Sequence, residues 1–205
     1  MAGRLFAFLV VFTLTATAGA QEPDLRPTLP ELAVRVAPNP VLLGRNFEMI
    51  PPSLGKMVQA ADLIVLGTVG TGKTYLSADQ RDLYTDYLVT PRRVLAQRIP
   101  AQSSPLAAAA PIIVKRWGGQ IVLNGVSVTQ EEHDLRTFQS GDDLLLLLMY
   151  DKTDGKYRLY GGISGAFSVS NGRVVSLLKN YTIPDVRDAT TAQIESEVRR
   201  LRPNN

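Results

Sequence analysis

The sequence predicts a mainly β domain of antiparallel hairpins, with a short helix before the strands and a longer helix at the C-terminus. Three observations carry this. Asn124-Gly125, Asp154-Gly155 and Asn171-Gly172 each separate two apolar, strand-forming runs. Such dipeptides favour hairpins because both central turn positions need positive φ. The run Leu144 to Tyr150 has the length of one buried strand. Ile194, Val198 and Leu201 lie at helical spacing and form one apolar stripe.

Taken in order, the chain opens with one positive charge at Arg4, an apolar core from Leu5 to Leu14, and small residues ending in Ala18-Gly19-Ala20. That order defines a secretory signal peptide over residues 1–20. The apolar core is too short for a membrane-spanning helix, which needs about 20 apolar residues. An exported protein, periplasmic or extracellular and without a transmembrane anchor, is the expectation. Residues 21–52 carry seven prolines, at 23, 27, 30, 38, 40, 51 and 52. They read as a proline-rich arm without a packed element.

Residues 53–205 read as a single domain. Ser53 caps a short helix presenting Leu54, Met57, Val58 and Ala61. A strand follows from Asp62 to Val69, and a second from Leu83 to Thr90, where Pro91 closes it and Val94-Leu95 resume it. Residues 101–110 are rich in alanine and read as a loop. Ile112 to Trp117 reaches Gly118-Gly119. Ile121 to Leu123 turns into Val126 to Val128, Asp143 to Tyr150 into Tyr157 to Tyr160, and Ala166 to Val169 into Arg173 to Leu178. Asp188 or Thr190 caps the final helix.

Composition sets limits on chemistry. The 205 residues contain no cysteine and one histidine. A zinc site of the usual kind and a cysteine nucleophile are therefore excluded. The formal net charge of +3 singles out no anionic partner, nucleic acid included.

One motif asks for nucleotide chemistry. Gly67-Thr68-Val69-Gly70-Thr71-Gly72-Lys73-Thr74 fits the phosphate-loop pattern G-x-x-x-x-G-K-[ST]. In that reading Gly67 and Gly72 let backbone amides wrap phosphates, Lys73 reaches the outer phosphates and Thr74 meets magnesium. Leu144 to Asp151 resembles the acidic strand that accompanies such loops. Against this, exported compartments are poor in nucleotides, and the hairpins do not supply the parallel sheet such enzymes need. Ser77, Asp79 and Asp82 also have turn chemistry where a helix should follow. The plainer expectation is a strand that turns at Gly70 to Thr74.

Other candidates are weaker. Glu131-Glu132-His133-Asp134 reads as a solvated charged loop. Asp142-Asp143 suit a turn at a strand entrance. Gly161, Gly162 and Gly165 suit bulges or a sharp corner. Arg92-Arg93 and Arg199-Arg200-Arg202 read as solvated basic faces. Trp117, between Lys115-Arg116 and Gly118-Gly119, is either a core residue or a ligand platform.

Ala61 to Val69, Tyr84 to Tyr87, Val94-Leu95, Gly141 to Leu148 and Tyr157 to Gly162 together resemble a group of exported bacterial proteins of unassigned function. The same order is distantly similar to the N-terminal barrel of tissue inhibitors of metalloproteinases and to netrin-like domains. The resemblance covers residues 53 to about 178 and implies a small antiparallel OB-like β-barrel. The inhibitory mechanism of those proteins runs through an N-terminal cysteine, which this chain lacks, so only the barrel carries over. The expected function is a non-enzymatic binding module for a protein or envelope polymer, with no catalytic residue, metal or cofactor. Two alternatives are a nucleotide-binding protein using Gly67, Gly72, Lys73 and Thr74, and a cell-envelope structural protein.

Overall fold

The computed structural model describes residues 26–45, 52–98, 110–179, 181, 183–187 and 189–203. The signal peptide at 1–20, the alanine-rich stretch at 101–109 and Asp188 lie outside the described residues. Among the described residues the protein is mainly β, with three α-helices and two sheets of mixed strand direction. No helix among the described residues is long and apolar enough to cross a membrane.

The proline-rich segment holds ordered structure, contrary to its reading as an unpacked arm. Helix α1 (Leu29–Val36) starts at Thr28, whose Oγ1 accepts the Glu31 amide while Glu31 Oε2 accepts the Thr28 amide at 2.9 Å. Pro30 sits in the first turn, where a missing N–H costs nothing. Strand β1 (Val41–Arg45) follows. Proline density therefore marked the borders of these elements rather than their absence.

Helix α2 (Leu54–Ala60) begins at Ser53 as its sequence predicts. Two long strands come next, β2 (Leu63–Leu76) and β3 (Leu83–Gln97). The expected turn at Gly70 to Thr74 does not form. β2 runs on to Leu76, and the turn is Ser77 to Asp82, where Ser77 Oγ accepts the amides of Arg81 and Asp82. Pro91 does not end β3 either. The β2–β3 ladder skips a residue between Leu66↔Arg93 and Gly67↔Pro91. A bulge at that point lets proline stand inside a strand without losing a ladder bond.

Strands β4 (Ile112–Trp117), β5 (Gly119–Leu123), β6 (Val126–Glu132), β7 (Asp143–Asp151), β8 (Lys156–Leu159), β9 (Ala166–Ser170) and β10 (Arg173–Ser176) follow the hairpin pattern. At Asn124-Gly125 and Asn171-Gly172 both residues have positive φ. At Asp154-Gly155 only Gly155 does, because that loop takes four residues between Asp151 and Lys156. Helix α3 (Thr191–Leu201) is capped by Thr190 and Gln193 in a reciprocal pair of bonds.

The large sheet runs β10-β9-β7-β2-β3-β4-β8, and β8 also pairs with β7. Starting at β2 and stepping through β3, β4, β8 and β7 leads back to β2. The sequence predicts antiparallel pairing throughout. A cycle of five neighbours cannot alternate direction all the way round, so at least one pair must be parallel. That pair is β4–β8.

Two apolar clusters result. The main one gathers apolar residues of β2, β3, β4, β7, β8, β9 and β10 with those of α2 and α3. Leu144 to Leu148 are all buried, so both faces of β7 are covered. The second cluster joins Leu29 and Ala33 of α1 to Val41, Leu83, Val126 and Val128. It binds α1 and the small sheet β1-β6-β5 to the tip of the β2–β3 hairpin.

Candidate functional site

Alternation along β3 and β4 sends two sets of residues to opposite sides. Leu83, Thr85, Tyr87 and Val89 are buried inward with Ile112, Val114 and Arg116. Tyr84, Asp86 and Leu88 face outward, opposite Trp117, Lys115 and Ile113 respectively. β2 adds Lys73 and Tyr75 to this outer face, and β8 adds Lys156 and Arg158. The face lies between the turns 77–82 and 152–155.

Charges and rings interlock on it. Lys115 Nζ stands 4.4 Å over the Tyr84 ring and donates to Asp154 at 2.8 Å. Lys156 Nζ stands 5.0 Å from the Tyr75 ring centre and donates to Asp86 at 2.6 Å. The Arg45 guanidinium lies 3.9 Å over Trp117, whose Nε1 donates to Asp82 at 2.8 Å. The hydrogen bond to Asp86 raises the Lys156 pKa. Burial works against ionisation of Asp154, but the Lys115 hydrogen bond and the charges of Lys115 and Arg158 outweigh it and lower its pKa. The cations are largely matched by carboxylates. Lys73 is exposed and has no ion-pair partner among the described residues. Leu88 and Ile113, 43% and 42% exposed, extend the face as an apolar strip.

A cleft of about 320 Å³ opens beside this face, between the inner ends of β2, β3 and β4 and the β5–β6 hairpin. Trp117 belongs to both, lining the cleft at its rim. Deeper in stand Thr74, Thr85, Tyr87 and Arg116. Thr74 Oγ1 and Thr85 Oγ1 are 2.9 Å apart, and Thr85 donates to the Gly118 carbonyl at 2.7 Å. A Cβ at Gly119 would come within 2.3 Å of Thr85 Oγ1, so only glycine leaves this wall in place. Burial raises the Tyr87 pKa and keeps its phenol protonated through the neutral range.

Arg116 is held under the cleft by Glu132. Its Nη2 donates to Glu132 Oε2 at 3.0 Å and its Nη1 to the Arg136 carbonyl at 3.2 Å. Glu132 Oε1 accepts from Arg45 at 3.0 Å. Glu131 to Asp134 is therefore no simple solvated loop. Glu132 and Asp134 are both 6% exposed, because Val126, Val128, Gln130 and Glu132 alternate inward along β6. That period of two was legible and was masked by the charges. His133 is exposed and packs over Gly44.

The phosphate-loop residues occupy strand β2. Gly67 pairs with Pro91, Gly72 with Tyr87, Lys73 with Asp86 and Thr74 with Thr85. Lys73 points outward and Thr74 toward the cleft, since neighbours in a strand face opposite ways. They do not converge on one point, and β3 follows where a helix would be needed. Gly72 has a different reason. A Cβ there would meet the Tyr87 ring at 3.0 Å, so the glycine lets that ring lie across the ladder. Asp151, in the acidic-strand match, pairs with Arg158.

Other sequence candidates take structural places. Asp142 accepts the Gln139 amide and Arg136, and Asp143 accepts Thr68 and pairs with Arg92. Arg93 pairs with Glu195, Arg200 with Glu197, and Arg202 reaches the Gln59 and Ala61 carbonyls at the end of α2. Gly161 and Gly162 have positive φ, and a Cβ on Gly165 would strike the Leu147 carbonyl. Among the described residues no cluster of three or more histidine or acidic side chains is arranged to hold a metal. No family model matches the chain, and no curated protein matches it.

Proposed function

We propose that the cyclic pairing β2-β3-β4-β8-β7 is an OB-type barrel, and that the protein is an exported, non-enzymatic module binding an envelope polysaccharide on its outer face. The observation that carries this is the ladder Tyr84↔Trp117, Asp86↔Lys115, Leu88↔Ile113 between the turns 77–82 and 152–155. Barrels of this type take oligosaccharides and oligonucleotides on the same strands, flanked by the corresponding loops. The Tyr84 and Trp117 rings each carry a cation over one face, so sugars would meet their apolar edges together with the donors and acceptors of the paired lysines and aspartates. The matching of cations by carboxylates favours an uncharged polymer over nucleic acid, which needs excess positive charge.

Affinity electrophoresis through gels containing soluble polysaccharides tests the reading. The protein is expected to be retarded by at least one glucan or N-acetylglucosamine polymer, and Tyr84→Ala and Trp117→Ala to run freely. Retardation by oligonucleotides alone would refute the polysaccharide. A thermal shift with magnesium and ATP that Lys73→Ala abolishes would restore the nucleotide reading. Self-association without any ligand would favour a structural role.

A further inference from the structure

The cleft beside the outer face is built to receive something the face itself cannot hold. Tyr87 is only 9% exposed, lines the cleft, and its hydroxyl bonds to no described residue. The hydroxyl itself stays open to the cleft, where a ligand oxygen can take the place of water. Here the partner has room to arrive, because about 320 Å³ lies in front of it, at the small end of the range for small-molecule sites. Arg116, the one cation of the lining, is matched by Glu132, and Glu131 at the mouth adds an acceptor. Thr137 and Gln120 bring further hydroxyl and amide groups to the rim. Gly118 and Gly119 leave the backbone bare where Trp117 passes from face to cleft.

Resting on the polysaccharide reading above, we propose that the cleft binds the terminal pyranose of the polymer, so that the protein recognises chain ends. The lining suits a small, uncharged, hydroxyl-rich ring. A chain lying over Tyr84 and Trp117 runs into the cleft past Gly118-Gly119 and stops there against Tyr87. A cleft that takes one terminal ring converts a face that could bind anywhere along a polymer into one that binds once per chain.

Calorimetry with glucose and N-acetylglucosamine oligomers, from tetramer to octamer, tests this through stoichiometry. End recognition predicts one protein bound per oligomer at every length, with the matching monosaccharide competing. Tyr87→Phe and Thr137→Val are expected to weaken oligomer binding up to tenfold, and to abolish monosaccharide competition. Tyr87→Phe removes a hydroxyl that no described residue uses, so an unchanged melting temperature is the expected control. More than one protein per longer oligomer, or wild-type affinity in both variants, overturns the end site and leaves the polysaccharide reading standing. Failure of every oligomer and polymer to bind removes both.

Discussion

Glu132→Gln removes the carboxylate that pairs with the buried Arg116 under the cleft. The Glu132 side chain is 2% exposed and that of Arg116 6%, whereas Arg45 is 41% exposed. Glutamine keeps the shape and one acceptor oxygen but removes the negative charge. Breaking a buried pair from one side costs about 3–5 kcal/mol, and the retained acceptor argues for the lower end. Arg45→Gln should cost far less, about 1 kcal/mol, because the Arg45 side chain is 41% exposed and water replaces much of its pairing. Urea unfolding followed by the fluorescence of the single tryptophan reads both. With a slope of about 2 kcal/mol/M, Glu132→Gln should lower the midpoint by about 1.5 M and Arg45→Gln by about 0.5 M. Arg116→Met with Glu132→Leu should cost less than Glu132→Gln alone, since no charge is stranded. Equal midpoints for the two single variants, or a Glu132→Gln shift below about 0.3 M, would refute the asymmetry drawn from burial.

The β2 residues separate in the same assay. Gly72→Ala presses a methyl on the Tyr87 ring and should cost about 1–3 kcal/mol, while Lys73→Ala, exposed and unpaired among the described residues, should stay within about 0.5 kcal/mol. Alkaline stability follows from Tyr87 and Tyr157, both raised by burial, and from Lys156, raised by its bond to Asp86. Groups whose folded pKa is raised stabilise fully below their unfolded values, so stability should hold to about pH 10 and fall above it. Tyr87→Phe should flatten that fall, measured by urea midpoints across the alkaline range. Gly119→Ala should be severely destabilising, as its Cβ would collide with Thr85 in a backbone at φ 138°.

What the sequence disclosed was local. The Asn-Gly turns, the Ser53 and Thr190 caps and the buried run in β7 depend on neighbours a few residues apart, and these were legible. The helix α1 was legible too, in Thr28, Pro30 and Glu31, but the count of prolines obscured it. The length of β2 was not, because its glycines answer to β3 across the ladder rather than to a turn. Nor was the parallel β4–β8 pair, which joins distant segments. Of the site, Trp117 with Lys115-Arg116 and Gly118-Gly119 stood out, Glu132 was read only as part of a charged loop, and Tyr87 only as a strand residue. Their roles depend on three strands meeting.

The odd number of strands in the cycle has a consequence in time. Its one parallel contact joins Val114 to Tyr157 and Lys115 to Arg158, and no further residue pairs. Hairpins β2–β3 and β7–β8 need only short loops to close and can zip early, whereas this contact must wait until a chain of about forty residues has found its way round. With only two residue pairs, the seam is the first contact undone on opening, and amides along it should exchange early in native-state hydrogen exchange. A chain held back before residue 156 would present β4 as a raw edge for any neighbouring strand to claim.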